Sequence, residues 1–473
     1  MKYIKLLLAL AFLSLCHPII GSDYVTKLDF QNLLSERDRD RSLHDSLKVF
    51  GLSDLYSVHV DNKDIAVYSY YKNHHIISLD YIWKTTTNNH WIQLALGETE
   101  SKTIEISCSK NANLSKSNTE IVGLDGMPIS FVNNKLVLTI EGGRTRRGMV
   151  IIDGNESEPL FIFIDPHIDR FKGDSTIVFE GYHKGTYVVP PSINKIVIPL
   201  GAYFRGNIVS DHDIEVSGLG IISQEGIKHT AYESGKDNAI KCNISVGGDN
   251  NKMVINGITS IEPAMYHFWV WPGHGTEYRN VKSFSFLYET DAYIGTLIQD
   301  CFSKVNDDHV KLYMSDIQVE KLYVYQQGNG HVFQFGWGNY GSRRNIHVED
   351  VTVFRDLNRL EECKYVRSFI NWRKPDVPLT IKDVTFNHIR FHGPLRSFLV
   401  MDNDGKPWKS KPEIRNFAIT NVSFYQMPHC KMKLENPLFH VRLEHFYRKN
   451  EEITKEQLKD FISEKSFDSF DIQ

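Results

Sequence analysis

Short apolar units recur from about residue 188 to residue 445, and this recurrence limits the fold more than any other feature. Each unit has an apolar pair, a polar punctuation residue and a second apolar alternation, as in MVINGITSI, LIQDCFSKV and TIKDVTFNHI. The punctuation lies at positions 256, 280, 300, 321, 350, 383 and 421, so the intervals are 24, 20, 21, 29, 33 and 38 residues. In a coiled repeat fold, each turn needs a minimum number of residues, and any inserted residues form loops. A minimum interval near 20 residues, with longer intervals elsewhere, is typical of such a fold.

Leucine-rich repeats have a similar period and must be weighed against this interpretation. Their leucine ladder is absent, because Ile, Val and Phe occupy the strand positions. The pattern therefore favours a right-handed parallel β-helix over residues 188–445.

The rest of the chain predicts three further segments. Between residues 55 and 170, brief alternating runs such as YSVHV, HWIQLAL and KLVLTI are separated by Gly, Asn and Asp clusters, so we expect an N-terminal β-sandwich over residues 23–187. Thr454 and Gln457 make a capping box, which predicts a helical tail over residues 446–473. The predicted fold class is all-β.

Residues 1–22 have the pattern of a secretory signal peptide. Lys2 and Lys5 precede an apolar run from Leu6 to Cys16, and the small residues Gly21 and Ser22 follow. No later segment approaches the roughly 20 apolar residues that a bilayer requires. We therefore expect a secreted or endolysosomal protein.

The charge of the chain excludes some partner classes. The formal net charge is −4, and removal of Lys2 and Lys5 with the leader takes it to −6. No basic field is available to attract nucleic acid or an anionic membrane. A capped β-helix need not associate, so we expect a monomer.

Secretion would make the cysteines and the glycosylation sequons relevant. Five cysteines follow the leader, an odd number at wide spacing that fits neither a disulfide-dense scaffold nor a zinc site. We expect most of them to be small buried hydrophobes. The predicted glycosylation sites, each heading an Asn-x-Ser/Thr sequon, are Asn113, Asn155, Asn243 and Asn421.

The stretch from Tyr288 to Tyr313 contains three carboxylates, Asp291, Asp307 and Asp308, among aromatic residues. Cleavage of a glycosidic bond with inversion needs a protonated carboxyl beside the leaving oxygen and a carboxylate that holds water, roughly 6.5 to 9.5 Å away. Crowded carboxylates repel each other, so the pKa of one rises and that group keeps its proton.

Ordinary turn chemistry is the structural alternative for Asn306-Asp307-Asp308. Adjacent strand residues point to opposite faces, so Asp307 and Asp308 can share a cleft only if the backbone turns or bulges there. The catalytic interpretation therefore predicts an irregular backbone at this pair.

The neighbouring residues favour a sugar ligand over a metal or a cofactor. Aromatic faces suit pyranose rings, although each residue taken singly fits a core position better. The histidines have no metal-ligand spacing, and neither a phosphate-binding glycine loop nor a Gly-x-Ser-x-Gly motif occurs. We expect no metal and no cofactor. The aromatic residues are Tyr266, Trp269, Trp271, Tyr293, Tyr313, Trp337, Tyr340 and Trp372.

Three motifs, VNDDHVKLY (305–313), YETD (288–291) and QFGW (334–337), resemble the active-site block of glycoside hydrolase family 49, the dextranase and isopullulanase family. The resemblance covers roughly residues 55–440, and the Asp block is its specific part. It implies a β-sandwich joined to a right-handed parallel β-helix and an inverting mechanism.

The resemblance also implies roles for individual residues. Asp307 matches the general acid, and Asp291 and Asp308 match the carboxylates that activate water. The positions that the resemblance implies to bind substrate are Lys311, Tyr313, Gln334 and Trp337. Tyr293, one of the aromatic residues named above, is predicted to bind substrate with them. The family's Gly and nearby Glu after the first Asp are missing, because this chain has Ala292-Tyr293 there.

Three function classes follow. The first is a secreted inverting endo-glycosidase of α-glucan, with dextran-like α-1,6 linkages. The second is a polygalacturonase-like hydrolase, which would need Gly-His-Gly and Arg-Ile-Lys downstream of the Asp residues, whereas the only Gly-His-Gly (273–275) lies upstream. The third is a non-catalytic carbohydrate-binding β-helix, against which the three Asp residues weigh.

Overall fold

The computed structural model describes most of the chain after the predicted leader. The described residues are 23–40, 43, 48–71, 87–168, 173–226, 242–248, 250–270, 275–286, 290–336, 341–357, 367–373, 378–402, 410–436 and 438–473. The signal peptide expected over residues 1–22 lies outside them. In the described part of the chain, we find no helix long and apolar enough to cross a membrane.

The N-terminal part is a β-sandwich preceded by helix α1 (Lys27–Asp38), whose N-cap Thr26 accepts from the backbone N–H of Asp29. One sheet has the order β1-β4-β5-β11-β10-β7 and the other β3-β2-β6-β9-β8. Alternating apolar residues of both sheets fill the space between them. The strands are β1 (Phe50–Leu52), β2 (Tyr56–Val60), β3 (Lys63–Asp64), β4 (Tyr68–Tyr70), β5 (Asn89–Ala95), β6 (Ser101–Cys108), β7 (Thr119–Val122), β8 (Ile129–Val132), β9 (Lys135–Glu141), β10 (Arg146–Ile152) and β11 (Leu160–Asp165).

The remainder is a parallel β-helix, as the sequence predicts. Its strands pair in parallel with strands of the next turn, except for the antiparallel strand Glu451–Glu452, and one apolar core runs through the coil. The strands are β12 (Thr176–Val178), β13 (Tyr182–Val188), β14 (Lys195–Val197), β15 (Tyr203–Ser210), β16 (Ile214–Ser217), β17 (Ile221–Ser223), β18 (Cys242–Val246), β19 (Met253–Asn256), β20 (Thr259–Ile261), β21 (Tyr266–Val270), β22 (Glu277–Arg279), β23 (Lys282–Phe284), β24 (Leu297–Gln299), β25 (Phe302–Lys304), β26 (Val310–Lys311), β27 (Ile317–Gln326), β28 (Phe333–Gln334), β29 (Arg343–Asp356), β30 (Ile370–Trp372), β31 (Thr380–Phe391), β32 (Leu399–Met401), β33 (Glu413–Phe424), β34 (Lys433–Leu434), β35 (Phe439–Arg448), β36 (Glu451–Glu452) and β37 (Phe470–Ile472).

The punctuation residues of the sequence are the corners of the coil. Six of the seven adopt the left-handed backbone conformation, and at the seventh the next residue, Gly257, does so (φ 88°). Asn and Asp tolerate this conformation better than other non-glycine residues, which explains their recurrence. The six are Asn280 (φ 59°), Asp300 (54°), Lys321 (52°), Asp350 (61°), Asp383 (56°) and Asn421 (55°).

Both ends of the predicted β-helix need correction. β12 and β13 pair in parallel with β14 and β15, so residues 176–188, mostly assigned above to the sandwich, belong to the coil. The tail is not only helical, because β37 follows α2 (Lys455–Lys459) and a 3₁₀ turn (Glu464–Ser469) and pairs in parallel with β35. The capping box at Thr454 and Gln457 is confirmed.

The sandwich packs on one face of the coil through aromatic residues. Trp91 stacks on Phe284 at 4.8 Å between ring centroids, and Phe161 lies 4.9 Å from Phe302. Beside these rings is a buried ionic group, here called the interface cluster and formed by Asp165, Arg147 and Lys282.

The interface cluster is fully buried and closely paired. Asp165 lies 2.7 Å from Arg147 Nη1 and 2.9 Å from Lys282 Nζ, and all three side chains have zero exposure. Burial alone would raise the pKa of Asp165, but the two cations hold it below its ordinary value. The cluster therefore keeps Asp165 ionised and joins the two parts of the molecule.

The cysteines match the expectation of buried thiols in part. Cys108, Cys242 and Cys301 are buried and free. Cys430 is disulfide-bonded.

Candidate active site

Two adjacent turns of the coil bring the three predicted carboxylates together. Between β25 and β26 the backbone bends at Asn306 and Asp307 instead of continuing a strand. In the preceding turn, the backbone N–H of Ala292 donates to the carbonyl of Asp308 at 3.0 Å, which sets Asp291 beside Asp308. The irregular backbone predicted at this pair is confirmed.

Asp291, Asp307 and Asp308 form one group, here called the acidic cluster. One oxygen of each lies within 4.8 Å of the others. Asp291 and Asp308 are 4% and 2% exposed, whereas Asp307 is partly exposed. The most accessible carboxylate is therefore the one that the resemblance assigns as general acid.

Each of the two buried carboxylates is held through both of its oxygens. Lys311 Nζ lies 3.0 Å from Asp291 Oδ2 and 2.9 Å from Asp308 Oδ2. The backbone N–H of Asp308 donates to Asp291 Oδ1 at 3.1 Å, and that of His331 donates to Asp308 Oδ1 at 2.9 Å. These contacts orient the two carboxylates and leave some of their lone pairs available to accept further hydrogen bonds.

The electrostatic balance of the site favours one proton on the cluster. Burial raises the pKa of Asp291 to about 7, with Asp308 adding to the rise and Lys311 opposing it. Burial alone would lower the pKa of Lys311, but the carboxylates of Asp291 and Asp308 raise it well above its ordinary value. Lys311 thus stays charged while Asp291 holds a proton at mildly acidic pH.

Lys311 also bears on whether the cluster would take a metal ion. The spacing of the three carboxylates could accommodate one. The ammonium group of Lys311, within 3.0 Å of two of them, already supplies a positive charge at that place. The expectation of chemistry without a metal stays a prediction.

Two other residues implied to bind substrate lie next to Lys311. Its Nζ donates to the hydroxyl of Tyr313 at 3.3 Å, and that hydroxyl donates to Gln334 Oε1. Gln334 is fully buried, and its Nε2 has no hydrogen-bond partner within the described structure. The structure therefore brings Lys311, Tyr313 and Gln334 together with the acidic cluster.

Tyr293 is a correction to the predicted site. Its side chain has zero exposure inside the coil, where its hydroxyl donates to the carbonyls of Phe302 at 2.7 Å and Val281 at 3.1 Å. It packs against the core and cannot line a cleft, so the prediction that it binds substrate is wrong. Trp337, the remaining residue of that set, lies outside the described residues.

Gly330 and His331 are residues that the sequence interpretation missed. Gly330 has φ +71°, and a Cβ added there would lie 2.2 Å from the carbonyl carbon of Asp307. Only glycine lets this turn approach Asp307 so closely. The run Gly328-Asn329-Gly330, placed one turn after the Asp pair, is the signal that could have found them.

The four asparagines predicted to be glycosylated differ in their exposure to solvent. Asn113 and Asn155 are exposed. Asn243 is fully buried and its Nδ2 donates to Ser260 Oγ at 2.7 Å, so the prediction of a glycan there is wrong. Asn421 is partly buried at a corner, where its Nδ2 donates to an asparagine of the preceding turn at 2.8 Å.

Comparison with curated proteins relates the chain to three glycoside hydrolases. Dextranase from Arthrobacter globiformis is 26% identical over 263 residues, which are 49% of this chain and 40% of that protein. Dextranase from Arthrobacter sp. (strain CB-8) is 25% identical over 266 residues, again 49% and 40%. Isopullulanase from Aspergillus niger is 25% identical over 210 residues, 38% of this chain and 36% of that protein.

The chain spans about two fifths of the length of the curated relatives that it matches. No family model matches the chain. Among solved structures, Dex49A from Penicillium minioluteum superimposes with a TM-score of 0.64 at 15% identity, covering 91% of this chain and 96% of that one. This structural likeness shows a common fold.

Proposed function

We propose that this chain, a member of glycoside hydrolase family 49, the dextranase and isopullulanase family, hydrolyses α-glucan internally, with dextran-like α-1,6 linkages as its substrate. The observation that carries the proposal is the acidic cluster, in which two carboxylates share Lys311 and a third lies within 4.8 Å. Such a group can hold one proton and one water at the same time, which hydrolysis of a glycoside requires.

In the proposed mechanism, Asp307 protonates the leaving glycosidic oxygen. It is the most exposed carboxyl of the three and therefore the one that a bound sugar reaches first. An oxygen of Asp307 lies within 4.8 Å of an oxygen of Asp291, the carboxyl on which burial favours a proton. The proton that burial favours on Asp291 is thus available to the cluster as a whole.

Asp308 and Asp291 hold the attacking water in this mechanism. Their oxygens are oriented by Lys311 and by backbone N–H groups, and each retains lone pairs that can accept from water. As the water attacks, its proton passes to this pair. The positive charge of Lys311 limits the repulsion between the two carboxylates when both are ionised.

Inversion is the proposed stereochemical course. The oxygens of the cluster lie closer together than the roughly 6.5 to 9.5 Å of typical inverting pairs, so spacing does not carry this part of the proposal. Its support is the tethering of Asp291 and Asp308, since a carboxylate held through both oxygens is better suited to orient water than to form a covalent ester with the sugar.

The two alternatives have less support from the site. Recognition of a uronate needs a cation for the sugar carboxylate, and Lys311 is already engaged by Asp291 and Asp308. A binding protein without activity would not need three carboxylates crowded into a buried site, because their repulsion and burial cost free energy.

The route to the substrate is part of the proposal. An extracellular polysaccharide requires secretion, and the predicted leader and the exposed sequons at Asn113 and Asn155 support it. A monomer is expected to suffice, because all three carboxylates come from one chain.

The test is incubation of purified protein with dextran, pullulan, polygalacturonate and arabinan, with product anomers followed by NMR. We expect cleavage of dextran with initial release of the inverted β-anomer. Initial release of the α-anomer would contradict the inverting mechanism but not the activity. The absence of cleavage of all four polysaccharides would contradict the proposed activity.

A second substrate tests the role of Asp307. An isomaltosyl fluoride loses fluoride without needing a proton, so Asp307→Asn should lose far less activity on it than on dextran. Equal losses on both substrates would show that Asp307 is not the acid.

A further inference from the structure

Tyr266 and Trp269 form an aromatic pair at β21, one turn before the acidic cluster. Their ring centroids are 4.9 Å apart and the planes are inclined by 26°. Both side chains are partly exposed, whereas Phe268 and Val270 in the same strand are buried in the coil core. The two rings thus lie outside the apolar core of the coil.

Backbone register places this pair beside the acidic cluster. The N–H of His267 donates to the carbonyl of Asp291 at 3.3 Å, which sets Tyr266 alongside Asp291 in the adjacent turn. Three residues further along both segments, the same register sets Trp269 alongside Ile294.

Ile294 connects the aromatic pair to Lys311. The N–H of Lys311 donates to the carbonyl of Tyr293 at 3.0 Å, so Ile294 and Lys311 are neighbours in successive turns. Ile294 packs against the coil core with part of its side chain exposed. Tyr266, Trp269 and Ile294, here together called the aromatic platform, are thus in register with the acidic cluster.

We infer that the aromatic platform is a sugar subsite that stacks a neutral pyranose ring of the substrate on the Asp291 side of the bond to be cleaved. Aromatic faces offer broad apolar area to the C–H face of a sugar, and their edges leave the hydroxyls free to bond elsewhere. The three platform side chains are uncharged, which suits a neutral glucan better than a uronan.

The platform also gives the substrate a direction. Successive turns of the coil are about 4.8 Å apart. The platform and the acidic cluster follow one another along the stack of turns, so the glucan would run along the coil axis.

This inference rests on the proposed function, and its test separates the two. Trp269→Ala and Tyr266→Ala are made in the wild type for kinetics on dextran. They are also made in an Asp308→Asn background, in which binding of isomalto-oligosaccharides is measured by calorimetry without turnover.

We expect each alanine variant to raise KM and to weaken oligosaccharide binding by about tenfold, with a much smaller change in kcat. Trp269→Phe keeps a ring and should retain most of the affinity. Tyr425→Ala removes a 49% exposed tyrosine from another turn and serves as the matched control, with no change in KM.

The outcomes distinguish the two claims. If wild type cleaves dextran while both alanine variants keep its KM and affinity, the subsite is wrong and the proposed function stands. If wild type neither cleaves nor binds any glucan, both fall. If thermal unfolding shows that Trp269→Ala is not folded, the test rests on the other two variants. Weaker binding by Tyr266→Ala with retained binding by Trp269→Phe would support the stacking subsite, and wild-type binding by Tyr266→Ala would contradict it.

Discussion

Two buried clusters of Asp with basic residues have opposite charge balance in this protein. The interface cluster surrounds one carboxylate, Asp165, with two cations. At the candidate active site, one cation, Lys311, serves two buried carboxylates, Asp291 and Asp308. Burial is nearly complete in both places, so the difference lies in the count of charges.

This difference in balance sets where a proton can reside. Excess positive charge keeps the pKa of Asp165 below its ordinary value, although burial alone would raise it. Excess negative charge adds to burial in raising the pKa of Asp291 to about 7. A buried carboxylate that is outnumbered by cations stays ionised and joins two parts of the fold. Buried carboxylates that outnumber their cation keep a proton that a reaction can use.

Removing a carboxylate from the acidic cluster should give the largest effect, and it should be on rate. Asp308→Asn is expected to lower kcat on dextran by about 10² to 10⁴. The free energy of unfolding should change little, because Asp291 and Lys311 remain as a balanced pair. Kinetics and urea unfolding on the same preparation measure both. A folded variant with wild-type kcat would remove Asp308 from the mechanism.

The matching change in the interface cluster should act on stability instead. Asp165→Asn leaves Arg147 and Lys282 buried without their anion and is expected to lower the free energy of unfolding by about 3 to 5 kcal/mol. kcat of the molecules that remain folded should stay near the wild-type value. Asp64→Asn, in an exposed pair with His59, is the matched control, with a loss of about 1 kcal/mol or less. Equal losses from Asp165 and Asp64 would contradict a structural role for the interface cluster.

Neutralising the cation of the site should shift the pH profile. Lys311 lowers the pKa of Asp291, so Lys311→Met raises that pKa, and because the cluster must keep its one proton, the basic limb of kcat/KM moves to higher pH. Lys311→Arg keeps the charge and should leave the limb close to its wild-type position. A Met variant with an unmoved limb would show that Asp291 does not govern it.

The smallest expected effect is on the pH dependence of stability. Because the pKa of Asp291 is raised in the folded state, its contribution to stability is complete below its unfolded value and is lost as pH rises through about 7. The free energy of unfolding of wild type, taken relative to Asp291→Asn, should therefore fall between about pH 4 and about pH 7. A difference that is flat over this window would show that the carboxyl is not perturbed.

Much of this architecture can be predicted from the sequence because its causes are local. Corner positions need residues that tolerate the left-handed conformation, so Asn280, Asp300 and Asp383 mark the turns of the coil directly. The bend at Asp307 follows from the demand that neighbouring carboxylates face one site. These features depend on residues close together in the chain.

The predictions that failed depend on which way a side chain points where the strand alternation breaks. Tyr293 follows Asp291 closely and suggests a cleft residue, yet backbone carbonyls inside the coil accept its hydroxyl. Asn243 heads a valid sequon, but its amide is used by Ser260 from the next turn. Close approach of Gly330 to Asp307 is likewise a contact between turns, which spacing along the chain does not reveal.

The most direct test of the central claim is the rate of reducing-end release from dextran by wild type, Asp307→Asn and Asp383→Asn. Asp383 is a corner residue whose left-handed conformation asparagine tolerates, so it controls for the substitution itself. We predict that wild type and Asp383→Asn release reducing ends at the same rate, and that Asp307→Asn is slower by about 10² to 10⁴. Equal rates in all three proteins, or no release by wild type, would contradict the account.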